Sequence, residues 1–213
     1  MKTQAILELH LPRPLAAIAH DYLRPLVMRR GDDDFQAAHV GHGEMCRQIR
    51  DWNMGLRGAC EGGHVDLIKM MISHGANEWQ GGLLHACMGG HAESIQLLID
   101  RGTKEWNYGL FGACEGNKIE PAKLMLSRGA TNADLCVDLC MITINIDLMM
   151  LLIDHSNMNR DCALALACRF NRQDAIPHII ARGAAHCSQC GKAARHHLPV
   201  GQKESDATTP TLM

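Results

Sequence analysis

Trp52, Trp79 and Trp106 stand 27 residues apart, and the whole segment around each recurs with it. Residues 52–78 read WNMGLRGACEGGHVDLIKMMISHGANE, residues 79–105 read WQGGLLHACMGGHAESIQLLIDRGTKE, and residues 106–132 read WNYGLFGACEGNKIEPAKLMLSRGATN. Two further units follow in register from Ala133 and Arg160. The fourth keeps LMMLLID at 148–154, and the fifth keeps Leu164, Ala167-Cys168, Ile179-Ile180 and Gly183-Ala184. A period of this length argues for a stack, in which each small unit buries its apolar face only against its neighbours. With aromatic residues at only 4%, the interior is expected to be built from small and aliphatic side chains, methionine and cysteine among them.

Each unit reads as two short helices. The first is expected over about 55–61, where Gly58, Ala59 and Cys60 permit close helix approach. Gly62-Gly63-His64 makes the turn. The second helix carries Val65, Leu67-Ile68 and Met71-Ile72, an apolar stripe at helical spacing. Gly75, Gly102, Gly129 and Gly183 then fall where a helix closes on a left-handed residue.

The run L-x-x-A-C-x-G-G-H-x-x-x-I-x-x-L-I-x-x-G-A resembles the ankyrin repeat, with Leu56, Ala59, Gly63, His64, Ile68, Met71, Gly75 and Ala76 on its pattern. The resemblance covers residues ~37–197 and implies an all-α helix-turn-helix solenoid that binds other proteins. It departs from the family in length, since ankyrin units usually run to about 33 residues. The shortfall lies between Gly-Ala and the next leucine, so the projecting hairpin loops are expected to be shortened. The tryptophan-containing short form is similar to repeats of giant DNA viruses of amoebae. The resemblance also implies that His42, His64 and His91, at one repeat position, bond the loop backbone.

Before the clear units, Ala37-Ala38, Gly41-His42 and Met45-Cys46 align with Ala59-Cys60, Gly63-His64 and Leu67-Ile68, so a worn unit is expected from about residue 35. Residues 35–185 thus form the repeat region, with units starting near 35, 52, 79, 106, 133 and 160. The segment 1–34 ends in a charge switch, Arg29-Arg30 to Asp32-Asp33-Asp34, that marks a solvated linker. Its L-P-x-x-L-x-x-I-x-x-x-Y-L run, from Leu11 to Leu23, resembles the opening of an F-box, with Pro14 departing from the usual acidic residue. Two readings stay open there: an amphipathic cap on the first repeat, or an F-box-like dock for a cullin-type ubiquitin ligase.

Residues 186–198 hold Cys187-x-x-Cys190 and then His196-His197. A Cys-x-x-Cys turn brings two thiolates to one metal, and a histidine on the following helical turn offers nitrogen, so Cys187, Cys190, His196 and His197 are candidate ligands for one structural zinc. The same stretch fits a metal-free capping helix, because Cys187 falls 27 residues after Arg160 and Ala194 matches Ala59 in register. The polar tail 199–213 is expected to be disordered.

Charge and chemistry narrow the function. A formal net charge of −2 gives no basic footprint for nucleic acid. No apolar run approaches the ~18 residues that span a bilayer, and the N-terminus lacks the pattern of a signal peptide. Cys60, Cys87, Cys114 and Cys168 recur at one repeat position, which reads as packed thiols in a reducing, cytoplasmic setting. His85 and His178 have no evident catalytic partner at a fixed offset. Nucleophile-elbow, zinc-protease and phosphate-loop motifs are absent, so no enzyme and no catalytic residue is expected. Apart from a possible zinc, no cofactor is expected.

The expected function is protein–protein interaction by a monomer, with a host protein as partner if the chain is viral. The alternatives are an F-box-like substrate adaptor and a degenerate repeat copy without a defined partner. First-helix positions Glu61, Met88, Glu115, Ile142 and Arg169 vary while the core positions hold constant, as a binding surface requires. Trp52, Met54, Trp79, Trp106 and Tyr108 join them as candidate contacts, aromatic side chains being favoured anchors. Inter-repeat packing is the competing role for the tryptophans.

Overall fold

The computed structural model describes residues 33–41, 51–142, 145–187 and 192–197, with the backbone alone at 33, 37, 195 and 196. The F-box-like run, His42, Met45-Cys46, Cys190 and the tail lie outside the described residues. The chain divides into two compact units, Met1–Ala130 and Thr131–Met213.

The first unit holds α1 (Asp33–Val40), α2 (Trp52–Gly62), α3 (Val65–Ser73), α4 (Trp79–Gly89), α5 (Ala92–Asp100), α6 (Trp106–Glu115) and α7 (Ile119–Ser127). The second holds α8 (Ala133–Cys140), α9 (Ile146–His155), α10 (Arg160–Arg169), α11 (Ile176–Ala181) and a short 3-10 turn, Ala194–His197. Each repeat is a helical hairpin: α2 packs on α3, α4 on α5, α6 on α7, α8 on α9 and α10 on α11. The first helices α1, α2, α4 and α6 also lie side by side in succession. This is the all-α ankyrin architecture, and among the described residues its only extended pairing is the antiparallel bridge between His186 and Ala193.

First helices begin at the tryptophan, three residues before the expected start at 55. In α2 this start carries a side-chain cap that the apolar pattern does not register, whereas α4 and α6 begin at their tryptophans without one. Asp51 accepts hydrogen bonds from the backbone N–H groups of Asn53 and Met54 at 3.0 and 3.2 Å, satisfying donors that would otherwise be orphaned. α2 closes at Gly63, φ +76°, with His64 N–H donating to Ala59 O at 2.9 Å. The second helices close as the sequence predicts. Gly75, Gly102, Gly129 and Gly183 sit at φ +99°, +93°, +99° and +98°. Nothing lies within 4 Å of where a Cβ would stand at any of the four, so backbone conformation alone selects glycine there. α1 ends at Gly41 with φ +77°, close to the value at Gly63.

The core repeats with the sequence. Leu56, Ala59 and Cys60 are fully buried, and so are Leu83, Ala86 and Cys87, then Leu110, Ala113 and Cys114. Ile68 and Met71, Ile95 and Leu98, and Ala122 and Met125 fill the second-helix side. Small residues at the first-helix interface let backbones approach closely. A Cβ on Gly112 would fall 2.9 Å from the Leu84 carbonyl carbon and 3.1 Å from its Cα, with the oxygen nearer still.

Two kinds of polar tie recur along the chain, one between consecutive repeats and one within a repeat. His64 Nε2–H donates to the His39 carbonyl at 2.9 Å, the loop-backbone bond that the ankyrin resemblance implies. Arg172 occupies the equivalent place in the fifth unit and reaches the carbonyls of Cys140 and Met141 at 3.3 and 3.1 Å. The second tie stands where a longer ankyrin unit builds its hairpin. Asn53 Oδ1 accepts from the N–H groups of Asn77 and Glu78 at 2.9 and 3.2 Å. Asp161 Oδ1 accepts from Ala185 and His186 at 2.8 and 3.1 Å, and Asp134 Oδ1 from Asn157 at 3.1 Å. One side chain at the second residue of a first helix thus holds the loop that leads into the next repeat.

Candidate functional site

The first helices of the first unit end on a polar cluster. Glu61 lies in the last turn of α2, His85 lies in α4, and Glu115 is the last residue of α6. His85 stands where the flanking repeats carry Gly58 and Gly112, and it is only 2% exposed. Its Nδ1–H donates to Glu61 Oε2 at 2.8 Å, and the Phe35 ring meets it edge-on at 5.3 Å. Burial next to the Glu61 carboxylate pushes the Glu115 carboxyl up to about 7. His85 Nε2 and Glu115 Oε2 are buried without a hydrogen-bond partner among the described residues. The cluster is therefore negative, partly desolvated and short of donors, an arrangement suited to a cationic or hydrogen-bond-donating group from outside.

Of the candidate contact residues in this unit, Glu61, Met88 and Glu115 are half-buried at the ends of α2, α4 and α6. Trp52, Trp79 and Trp106 are half-buried at the opposite ends of the same helices. One ring face of two of them is covered from within their own repeat. His74 stacks on Trp52 with centroids 4.3 Å apart, and the Arg128 guanidinium lies 5.8 Å from the Trp106 centroid. Both partners stand 22 residues after their tryptophan, at the end of the second helix. Trp79 borders a shallow cleft with Arg57, Glu78, Thr103, Lys104 and Glu105, in which Arg57 and Glu78 form an ion pair. Met54 and Tyr108 are half-buried; the Arg57 guanidinium reaches Met54 Sδ at 3.5 Å.

In the second unit, Ile142 follows α8 and is 55% exposed, large for an isoleucine. Arg169 is exposed at the end of α10, with its guanidinium 5.4 Å from the Phe170 ring centroid. Burial raises the Asp138 carboxyl, and the Arg169 charge opposes that shift.

The same unit carries the candidate metal ligands. Cys187 is buried and His197 half-buried, and the structure brings both to Cys168 at the end of α10. Sγ of Cys168, Sγ of Cys187 and a ring nitrogen of His197 all lie within 4.8 Å of one another. Cys168 Sγ and His197 Nδ1 are 3.2 Å apart. Cys190 and the His196 side chain lie outside the described residues. Cys187 does not open a helix as the repeat register implies; it lies in a hairpin, with its N–H donating to Lys192 O at 2.8 Å, and only Ala194–His197 is helical.

Sequence reasoning missed three things here. It left His85 without a partner because Glu61 belongs to the preceding repeat. It grouped Cys168 with the buried thiols Cys60, Cys87 and Cys114, whereas Cys168 is half-exposed. It also passed over the ties made by Asn53, Asp134 and Asp161, although Asn or Asp recurs there at positions 53, 107, 134 and 161.

A family model described as ankyrin repeats (many copies) matches residues 58–99, from the middle of α2 to the end of α5. No curated protein matches the chain. The family match, the repeated helical hairpins and the left-handed glycines together support an ankyrin-repeat protein. Ankyrin repeats generally mediate protein–protein interaction, as non-enzymatic modules. No helix among the described residues is long and apolar enough to cross a membrane.

Proposed function

We propose that the chain is a protein-binding module whose partner lies across the C-terminal ends of α2, α4 and α6 and presents a cationic side chain to Glu61 and Glu115. One observation carries this reading. Residues that are fully buried stay constant from repeat to repeat, as Leu-Ala-Cys, while the half-exposed positions next to them change from Glu61 to Met88 to Glu115. A constant frame with a varied face is what selective recognition needs. The raised Glu115 carboxyl adds a direction. Two carboxylates that disfavour each other's charge gain most from a guanidinium or ammonium brought between them. The short tryptophan repeat favours a viral origin, and hence a host protein as the partner, cytoplasmic like the chain itself.

Affinity capture on the full chain tests the proposal, comparing wild type with Glu61→Gln/Glu115→Gln and with Lys69→Glu on the exposed side of α3. The expected result is a partner retained by wild type and by Lys69→Glu and lost from the double variant. Equal retention by all three overturns the proposed face. No partner above background indicates a degenerate copy and overturns the function itself. Ubiquitin-ligase subunits retained by all three chains support the adaptor reading instead.

A further inference from the structure

From the meeting of Cys168, Cys187 and His197, we infer that the C-terminal end of the second unit is a zinc site that fastens the last hairpin to α10. The inference goes beyond the protein-binding reading and does not depend on it.

The donor set is the first argument. Two thiols and an imidazole are the side chains that zinc prefers, and here they come from separate segments: Cys168 from the end of α10, Cys187 from the hairpin and His197 from the 3-10 turn. The second argument is dimensional. With Zn–S near 2.3 Å and Zn–N near 2.0 Å, tetrahedral ligand atoms stand roughly 3.5–3.8 Å apart. The Cys168–His197 separation of 3.2 Å lies just under that edge, and the limit of 4.8 Å on all three lies above it. Side-chain shifts of about 1 Å or less bring the set to bonding geometry. A fourth tetrahedral position then falls to water or another donor.

The third argument is the place of the cluster in the fold. α10 is the last first helix among the described residues of the second unit, and beyond α11 these residues form only an antiparallel bridge and one short turn. In the first unit, Cys60 and Cys87, in the register of Cys168, are fully buried against Gly82 and Gly109 of the next repeat. Among the described residues, no further helical hairpin lies beyond α11, and Cys187 and His197 stand at Cys168 instead. Cys187 is 1% exposed and Ala194 4%, so the two described ends of this segment are packed down. Coordination adds cohesion there, because metal binding to a site formed only in the folded chain stabilises that fold.

The decisive residue is Cys168, since its thiol register alone would assign it to the core. Full-length protein without a His tag, purified without chelators, is analysed for metal as wild type, Cys168→Ser, Cys187→Ser, His197→Ala and Cys162→Ser. Cys162 lies exposed on the same helix and serves as the control. The expected result is about one zinc per chain in wild type and Cys162→Ser, falling to about a tenth or less in the other three. Cobalt substitution of the wild type is expected to give thiolate charge-transfer bands and intense tetrahedral d–d bands. A second measurement needs no variant: alkylation of wild type, read by mass spectrometry, is expected to label Cys168 and Cys187 faster after chelation and Cys162 equally in both states. Wild type that neither carries zinc nor takes it up on titration overturns the site. Full zinc retention by Cys168→Ser also overturns it, as does alkylation of Cys168 indifferent to chelator.

Discussion

Gly112→Ala places a single methyl group where α6 meets α4. Its Cβ would stand 2.9 Å from the Leu84 carbonyl carbon and 3.1 Å from the Leu84 Cα. Carbon atoms in contact sit about 3.5–4.0 Å apart, so the two helices must separate by roughly 0.5–1 Å. The obstacle is backbone and no side-chain rotamer can relieve it. Overpacking of this kind costs about 1–3 kcal/mol, against which the better helix propensity of alanine returns up to about 1 kcal/mol. A net loss of about 1–2 kcal/mol is expected. Urea denaturation followed by far-ultraviolet circular dichroism measures it, as a lower midpoint at unchanged slope. Because His85 occupies the same register one repeat earlier, helix spacing is set pair by pair and the penalty belongs to the α4–α6 pair. A variant as stable as wild type, or more so, would refute the claim that close backbone approach selects glycine at this position.

Three further outcomes are expected. Glu115 is raised to about 7 in the folded chain, above its unfolded value, so the folded state holds the extra proton and stability falls as pH rises from about 4.5 to 7. Glu115→Gln should flatten that slope and stabilise the protein at pH 8 by up to about 3 kcal/mol; urea midpoints across the range that keep the wild-type slope would count against it. Asn53→Ala removes the acceptor for Asn77 and Glu78 N–H and should cost about 0.5–1.5 kcal/mol, with faster amide exchange at those two residues as the local sign. Burial drives the Cys60 thiol upward and pushes Cys87 up to about 12, so both should resist alkylation in the native state while exposed Cys162 reacts quickly. Native labelling of Cys60 at the Cys162 rate would contradict the buried-thiol assignment.

Legibility in the sequence followed the range of the interaction. Gly75, Gly102 and Gly129 were readable because a left-handed residue leaves its mark at a single position, and the 27-residue period multiplied that mark. Leu56, Ala59 and Cys60 were readable because burial acts through periodicity. The start of α2 was misplaced by three residues because a cap at Asp51 carries no apolar signal. What lay deepest in the fold was least visible. The Glu61–His85 bond joins residues 24 apart, and the approach of Cys168 to His197 spans 29. Both separations follow from stacking distance, which a composition or a local pattern does not state. The candidate ligands Cys187 and His197 were found from a local motif, but their partner on α10 was hidden by its own regularity.

The bonds from Asn53 to Asn77 and Glu78, and from Asp161 to Ala185 and His186, bear on how such a chain can change its length. Each joins a side chain to amides 24 and 25 residues ahead, so the join is indifferent to which copy supplies the amides. Excision or duplication of a whole 27-residue stretch, cut anywhere in the period, rejoins an acceptor to equivalent donors. A gain or loss of one or two residues in the short connector does not, because the connector has no hairpin in which to store slack. Lineages of such proteins should therefore differ by whole periods far more readily than by single residues, and recombination between copies should leave seams that the folded chain cannot detect.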